Sequence, residues 1–239
     1  AELDQMALSL DASTEAAHDA FRGVSGAFRK TMEAAQWAHE VGLPLQINTV
    51  MARHNFEDVD LLIETVKRLD VVFWEVFFLV QTGRGSEVEG LTAEEVEAVF
   101  AKLYRLANEA PFILKVTEAP HYRRYFIQQR LHEAGIDPRE VRWHDGELPS
   151  ELRRVLGPRG TIGRAPHGVN AGKGFVFVAH DGEVFPSGFL PLSAGNVRNV
   201  RLKRLYQESP LFRALRNPDL LKGRCGVCGR GEMGHQHDG

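Results

Sequence analysis

Apolar positions along this 239-residue chain follow two alternating periods. Four short runs are apolar throughout or at every second position, at 6–10, 43–51, 71–80 and 112–117, and read as strands. Between them, apolar residues recur three or four apart. Ala27, Phe28, Met32, Ala35, Trp37 and Ala38 mark a helix over 25–41 that stops at Gly42. Val59, Leu62, Ile63 and Val66 share one face of a second helix, over 55–69, with Asn55 as its expected cap. Thr92 and Glu95 form a capping box that opens a third helix through about 109, and 120–134 reads as a fourth. The run 71–80 is nearly all apolar, as a strand buried on both faces would be. This order implies parallel strands with right-handed crossovers, in either an open α/β sheet or part of an α/β barrel.

The pattern then changes. Residues 135–173 are rich in Gly, Pro, Arg and His and keep no long period, so they read as an irregular connection with one short helix at 149–156. Beyond it, 175–179 and 183–185 flank Asp181-Gly182, a hairpin signal, and 202–206 and 210–216 read as short helices. Three parts are therefore expected: 1–134, 135–173 and 174–239.

Composition narrows the function classes. A formal net charge of −3 gives no electrostatic case for nucleic acid or an anionic membrane. No apolar run approaches the roughly 18 residues of a membrane-spanning helix, and no signal-peptide pattern opens the chain. Two cysteines do not make a secreted disulfide framework, so a cytoplasmic location is the default expectation.

Several residues carry candidate chemistry. Ser9-Leu10-Asp11 lies at the C-terminal end of an expected parallel strand, where α/β folds bind ligands. Its side chains either bind ribose hydroxyls or an amino-acid head group, or cap a following helix. Asn48 sits within the second strand and needs hydrogen-bond partners, from a cofactor or from the core. The segment Leu79-Val-Gln-Thr-Gly-Arg-Gly85 offers main-chain groups and an apolar flank that suit an adenine, or is simply a strand-to-helix loop. It lacks the Gly-Lys-Ser/Thr ending of a phosphate loop. His121 with Tyr122, Arg123 and Arg124 lines a pocket or lies on a helix surface. Cys225 and Cys228, two residues apart, can reach one metal or cluster. With His235 and His237 they make four zinc-type ligands, although the spacing is unlike the usual finger loop.

Taken in order, these motifs resemble the radical S-adenosylmethionine enzymes that carry a C-terminal SPASM or twitch cluster domain. Ser9-Leu-Asp-Ala-Ser-Thr, His18-Asp-Ala-Phe-Arg-Gly23 and Gly42-Leu-Pro-Leu-Gln-Ile-Asn-Thr49 resemble the second half of that family's partial (β/α)6 barrel. Phe78-Leu-Val-Gln-Thr-Gly-Arg-Gly85 resembles its sixth strand and following loop. Gly182-Glu-Val-Phe-Pro-Ser187, Gly195-Asn-Val-Arg198 and Leu221-Lys-Gly-Arg-Cys-Gly-Val-Cys228 resemble the start of the auxiliary domain. The likeness is strongest to the haem-pathway and peptide-maturase-like branch.

That resemblance implies S-adenosylmethionine and 4Fe–4S clusters as cofactors, a porphyrin-type or peptide substrate, and an electron donor such as a flavodoxin or ferredoxin. The family cleaves its cofactor reductively to a 5′-deoxyadenosyl radical that abstracts a substrate hydrogen. Ser9 and Asp11 would meet the methionyl or ribose part of the cofactor, Asn48 the ribose region, and Leu79 and Val80 the adenine. Cys225 and Cys228 would ligate an auxiliary cluster. The chain departs from the family in lacking its Cys-x3-Cys-x2-Cys loop and the first three strands, and Ser187 stands where some relatives have a cysteine. A fragment, inactive by itself, is the expectation. The competing expectation is a non-catalytic α/β binding protein with a Cys-x-x-Cys/His-x-His zinc knuckle. An unrelated α/β enzyme using Ser9 and Asp11 is a third.

Overall fold

Leu45, Ile47, Thr49 and Met51 are buried, while Gln46, Asn48 and Val50 between them are only partly so, because successive strand side chains point to opposite faces. This strand, β2 (Leu45–Met51), is the second of four in a parallel sheet seen in the computed structural model, which describes residues 3–138, 141, 170–220 and 222–223. The others are β1 (Met6–Ser9), β3 (Phe73–Phe78) and β4 (Ile113–Thr117), in the spatial order β1-β2-β3-β4. Sequential order in a parallel sheet means that each crossover steps to the next strand, so β1 is an edge.

The helices are α1 (Glu15–Arg22), α2 (Ala27–Glu40), α3 (Val59–Arg68), α4 (Ala93–Glu109) and α5 (His121–Glu133). Helices α2, α3 and α4 pack their apolar stripes on one face of the sheet. Ile47, Trp74 and Val76 from the strands meet Leu62, Phe100 and Leu103 from the helices in one continuous core. Full burial of such side chains stabilises by roughly 1.5–3 kcal/mol each. The Thr92–Glu95 capping box is formed and α4 runs from Ala93 to Glu109, as its sequence pattern predicts.

The structure differs from the sequence reading in four places. Helix α1 is absent from the sequence reading: EAAHDAFR is only eight residues long and fully buries only His18. Asn55 does not cap α3. It closes a 3-10 turn at Arg53–Asn55, and α3 begins after it at Val59. The 71–80 run yields a shorter strand that is not buried on both faces, since Phe73, Glu75 and Phe77 remain partly exposed on the face away from the helices. The loop at Thr82 winds into a 3-10 turn over Gly83–Glu87.

Contacts divide the chain into two units, 1–162 and 163–239. In the second, Phe177 and Val178 pair antiparallel with Phe185 and Val184 around the expected turn. Gly182 turns there at φ 89°, and a Cβ on it would meet Asn196 Oδ1 at 2.8 Å. Asn196 Nδ2 donates to Asp181 O and Glu183 Oε1, both at 3.1 Å, which ties the Gly195-Asn-Val segment to the hairpin. Val184, Leu205 and Phe212 form a small core beneath it, with helices at Leu202–Glu208 and Pro210–Arg216. Among the described residues no helix is long and apolar enough to cross a membrane.

Candidate functional site

One row of paired residues crosses the whole sheet: Ser9 beside Asn48, Asn48 beside Glu75, and Glu75 beside Lys115. All four lie on the face the helices leave open. A parallel sheet usually has both faces covered by apolar residues, yet between Val50, Phe73 and Phe77 this face carries a polar, cross-linked row. Glu75 accepts from Lys115 Nζ at 2.6 Å, from Thr117 Oγ1 at 2.8 Å and from Gln46 Nε2 at 3.3 Å. The same Gln46 Nε2 donates to Asn48 Oδ1 at 2.7 Å. Gln46, Glu75, Lys115 and Thr117 were missed in the sequence. Their signal was the alternation itself: a lone Glu inside an otherwise apolar strand must face something polar.

A second network sits just past the C-terminal ends of β1 and β2, on the buried side. Asp11 is fully buried, and its Oδ1 accepts from Val50 N at 2.7 Å. Its Oδ2 lies 2.5 Å from Arg22 Nη2 on α1. The Asp11 carbonyl takes Asn55 Nδ2 at 2.8 Å, and Asn55 Nδ2 also reaches Val50 O at 2.8 Å. Beneath it, Thr49 Oγ1 donates to Leu10 O at 2.7 Å and accepts from the buried indole of Trp74 at 2.9 Å. Four of these bonds, those of Asp11 Oδ1 with Val50 N, of Asn55 with the Asp11 and Val50 carbonyls and of Thr49 with the Leu10 carbonyl, run from side chain to backbone and tie the segment after β1 to β2.

Two histidines complete this cluster. His18 Nδ1 accepts from Asp11 N at 3.1 Å, so a backbone N–H selects the tautomer protonated on Nε2. Burial pushes the His18 pKa below its ordinary value, and the neighbouring Asp11 only partly opposes it. Burial likewise lowers His54, whose ring stacks on Phe21 with centroids 3.9 Å apart.

The loop after β3 closes the same end of the sheet. Leu79 N donates to Met51 O at 3.0 Å, and Thr82 N folds back onto Val80 O at 2.8 Å. Gly85 packs against this turn so closely that a Cβ would lie 3.0 Å from Val80 O and 3.3 Å from Leu79 Cδ1. Arg53 holds the loop from the β2 side: its N–H donates to Glu89 O at 3.1 Å and its guanidinium pairs with Glu95. Leu79 and Val80 stay half-buried, an apolar ledge beside main-chain polar groups.

The structure places Ser9 at the C-terminal end of β1, Asp11 just past it, Leu79 and Val80 just past the end of β3, and Asn48 in the middle of β2 beside Ser9. Ser9 and Asn48 are on the open face, Leu79 and Val80 in the adjoining loop, and Asp11 in the scaffold beneath. His121 is exposed on α5, its ring 4.9 Å from that of Phe100. Cys225, Cys228, His235 and His237 lie outside the described residues, as does the expected helix at 149–156. Among the described residues no group of three or more His, Cys, Asp or Glu is placed to hold a metal ion. The open face offers the Asn48 amide and the Ser9 hydroxyl, which suit hydroxyl or carboxylate oxygens. The Leu79–Val80 ledge suits a flat heterocycle.

No protein-family model matches the chain. The AdoMet-dependent heme synthase of Methanosarcina barkeri is 36% identical over 228 residues, covering 95% of this chain and 60% of that protein. The enzyme of the same name from Nitratidesulfovibrio vulgaris is 33% identical, covering 95% of this chain and 57% of its own length. The PqqA peptide cyclase of Rhizobium meliloti is 27% identical, covering 96% and 54%. The chain therefore spans little more than half the length of the curated relatives it matches. In solved structures, Streptococcus suis SuiB bound to its precursor peptide SuiA shares the fold with a TM-score of 0.58 at 16% identity, over 88% of this chain and 44% of that one. SuiB bound to S-adenosylmethionine gives 0.57 at 16% identity, over 89% and 44%.

Proposed function

This chain is a homologue of the radical S-adenosylmethionine enzymes with a SPASM-type domain, and from that kinship we propose that it forms the later half of such an enzyme's partial barrel. On this reading, 1–134 is barrel, 135–173 a connection, and 174–239 the beginning of an auxiliary cluster module. The polar open face of the sheet carries the proposal. A sheet whose lumen binds a nucleoside needs donors there, and Ser9 and Asn48 supply them in one register row.

The residues present fit S-adenosylmethionine. Ser9 would meet its methionyl or ribose oxygens and Asn48 its ribose, and the Leu79–Val80 ledge would take the adenine, aided by the close approach that Gly85 permits. Asp11 serves the same site from beneath, since its carboxylate is already held by Val50 N and Arg22. When bound, the cofactor supplies one-electron chemistry that abstracts a substrate hydrogen. The protein's own part is to orient it and to keep water from it with Val50, Phe73 and Phe77 on the same face. The catalytic iron–sulfur cluster does not fit this chain alone. The family holds that cluster with the three thiolates of Cys-x3-Cys-x2-Cys, and the sequence has two cysteines, neither in such a motif. No step through it is assigned to this chain, which by itself does not cleave the cofactor. Cys225 and Cys228, which lie outside the described residues, would supply two ligands of an auxiliary cluster.

For the whole protein, a cytoplasmic enzyme with a flavodoxin or ferredoxin as electron donor, we favour a porphyrin-type substrate. The identity to the two heme synthases, 36% and 33%, exceeds the 27% to the peptide cyclase. A peptide is the second reading, supported by that cyclase. The test is anaerobic reconstitution of the full-length protein containing this sequence, with 5′-deoxyadenosine measured in the presence of a porphyrin or a candidate peptide. Porphyrin-dependent 5′-deoxyadenosine from the full-length protein, and none from this chain, is the expected result. Turnover by this chain alone overturns the reading.

A further inference from the structure

We propose that Glu75 is a positioning residue that locks the Asn48 side chain as a hydrogen-bond donor toward a ligand on the open face. The inference rests on the reading of Asn48 as a cofactor contact and adds the reason that its polarity is fixed. An amide side chain can turn over, exchanging its donor and acceptor ends at little cost. Asn48 alone could therefore present either end to a ligand. The row of side chains beside it removes that freedom.

The Glu75 carboxylate receives three donors, from Lys115, Thr117 and Gln46. A carboxylate accepts and does not donate, so the end of Gln46 that faces it must be the NH2 group. Gln46 Oε1 then points the other way, where it accepts from Gln5 Nε2 at 3.0 Å. The second hydrogen of Gln46 Nε2 goes to Asn48, so the end of Asn48 that meets it must be Oδ1. Polarity passes along the chain Glu75, Gln46, Asn48, and Asn48 Nδ2 is left with no hydrogen-bond partner among the described residues. A ligand over Asn48 must bring an acceptor: a hydroxyl or carboxylate oxygen, or a ring nitrogen. Glu75 is 12% exposed in its side chain and anchored by Lys115, so it is held in place to set this direction.

The test uses this chain and reads the polarity in the free protein first. By NMR, the Gln46 Nε2 protons, with two acceptors, should exchange with solvent more slowly than the Asn48 Nδ2 protons. Glu75→Gln, which can turn its own NH2 toward Gln46, should abolish that order. If Asn48 exchanges more slowly in the wild type, or Glu75→Gln leaves both rates unchanged, the inference is overturned. Gln46→Met, which cuts the relay without touching the charge pair, serves the same purpose should Glu75→Gln fail to fold.

Binding of S-adenosylhomocysteine then separates the two claims. Glu75→Gln should weaken it about tenfold, the scale of one lost hydrogen bond to a ligand, with no further loss when combined with Asn48→Ala. Equal losses from Glu75→Gln with and without Asn48 would assign Glu75 a merely structural role. No effect of Asn48→Ala on binding would sink the cofactor reading, while the exchange rates would still decide the polarity.

Discussion

Arg22 Nη2 lies 2.5 Å from the fully buried Asp11 Oδ2, joining the last turn of α1 to the end of β1. A buried carboxylate needs a partner, and this pair, with Phe21 stacked on His54, helps to dock an eight-residue helix. Breaking one side leaves an uncompensated charge, which costs about 3–5 kcal/mol for a fully buried pair. Arg22 is 35% exposed, so Arg22→Ala should cost less, about 1–3 kcal/mol in urea unfolding. Asp11→Asn in the same background should recover part of it. A neutral Arg22→Ala would mean that solvent, not Arg22, compensates Asp11.

Stability should fall on acidification through the histidine range. His18 and His54 are both lowered from 6.5 by burial, so the unfolded chain binds protons that the folded chain refuses. Their contribution is complete above 6.5 and is lost progressively as pH drops from there toward each folded value. Protonating His18 Nδ1 also breaks its bond from Asp11 N. Unfolding free energy measured from about pH 7.5 to about pH 5 should decline, and less steeply in His18→Gln. Parallel curves for the two proteins would remove His18 from the account.

Thr49→Val should destabilise although it keeps the side-chain shape. Thr49 Oγ1 bridges the Trp74 indole N–H and the Leu10 carbonyl inside the core. Valine leaves both groups buried without that partner, at about 1–3 kcal/mol. A loss below about 0.5 kcal/mol by chemical denaturation would show that the indole finds another acceptor.

The strands were written in the sequence as alternation. Leu45 to Met51 shows its buried and open faces residue by residue, and the Thr92–Glu95 box marks where α4 starts. Helix α1 left a weaker trace, because its apolar side is short, with Phe21 stacked on His54, and much of its anchoring comes from the polar groups Arg22, His18 and Asp19. Asn55 has the chemistry of a cap, but its amide is used across the chain, on the Asp11 carbonyl 44 positions away. Ser9 could be named from its place at a strand end, and Asn48 as a polar amide inside an otherwise apolar strand. The alternation marks Glu75 as a polar residue on one strand face, but its partners are set by register, which places Lys115 beside it and Thr117 beside Phe77, and register is a long-range property.

Gly85→Ala should weaken S-adenosylhomocysteine binding more than it weakens the fold. The added Cβ would press on Val80 O and Leu79 Cδ1, shifting the ledge by a few tenths of an ångström. Because the loop lies outside the main core, the unfolding free energy should move by less than about 1 kcal/mol. Unchanged binding would mean that the ledge does not touch the nucleoside.

The central claim is that the C-terminal end of this sheet, on its open face, carries the nucleoside of S-adenosylmethionine. Titrating the 15N-labelled chain with S-adenosylhomocysteine and following its amide resonances tests it most directly. Saturable shifts are expected at Ser9, Asn48, Leu79 and Val80, with little change at Gln5, Asp70 or Phe112 at the opposite end. Shifts confined to that opposite end, or none at any concentration reached, would contradict it.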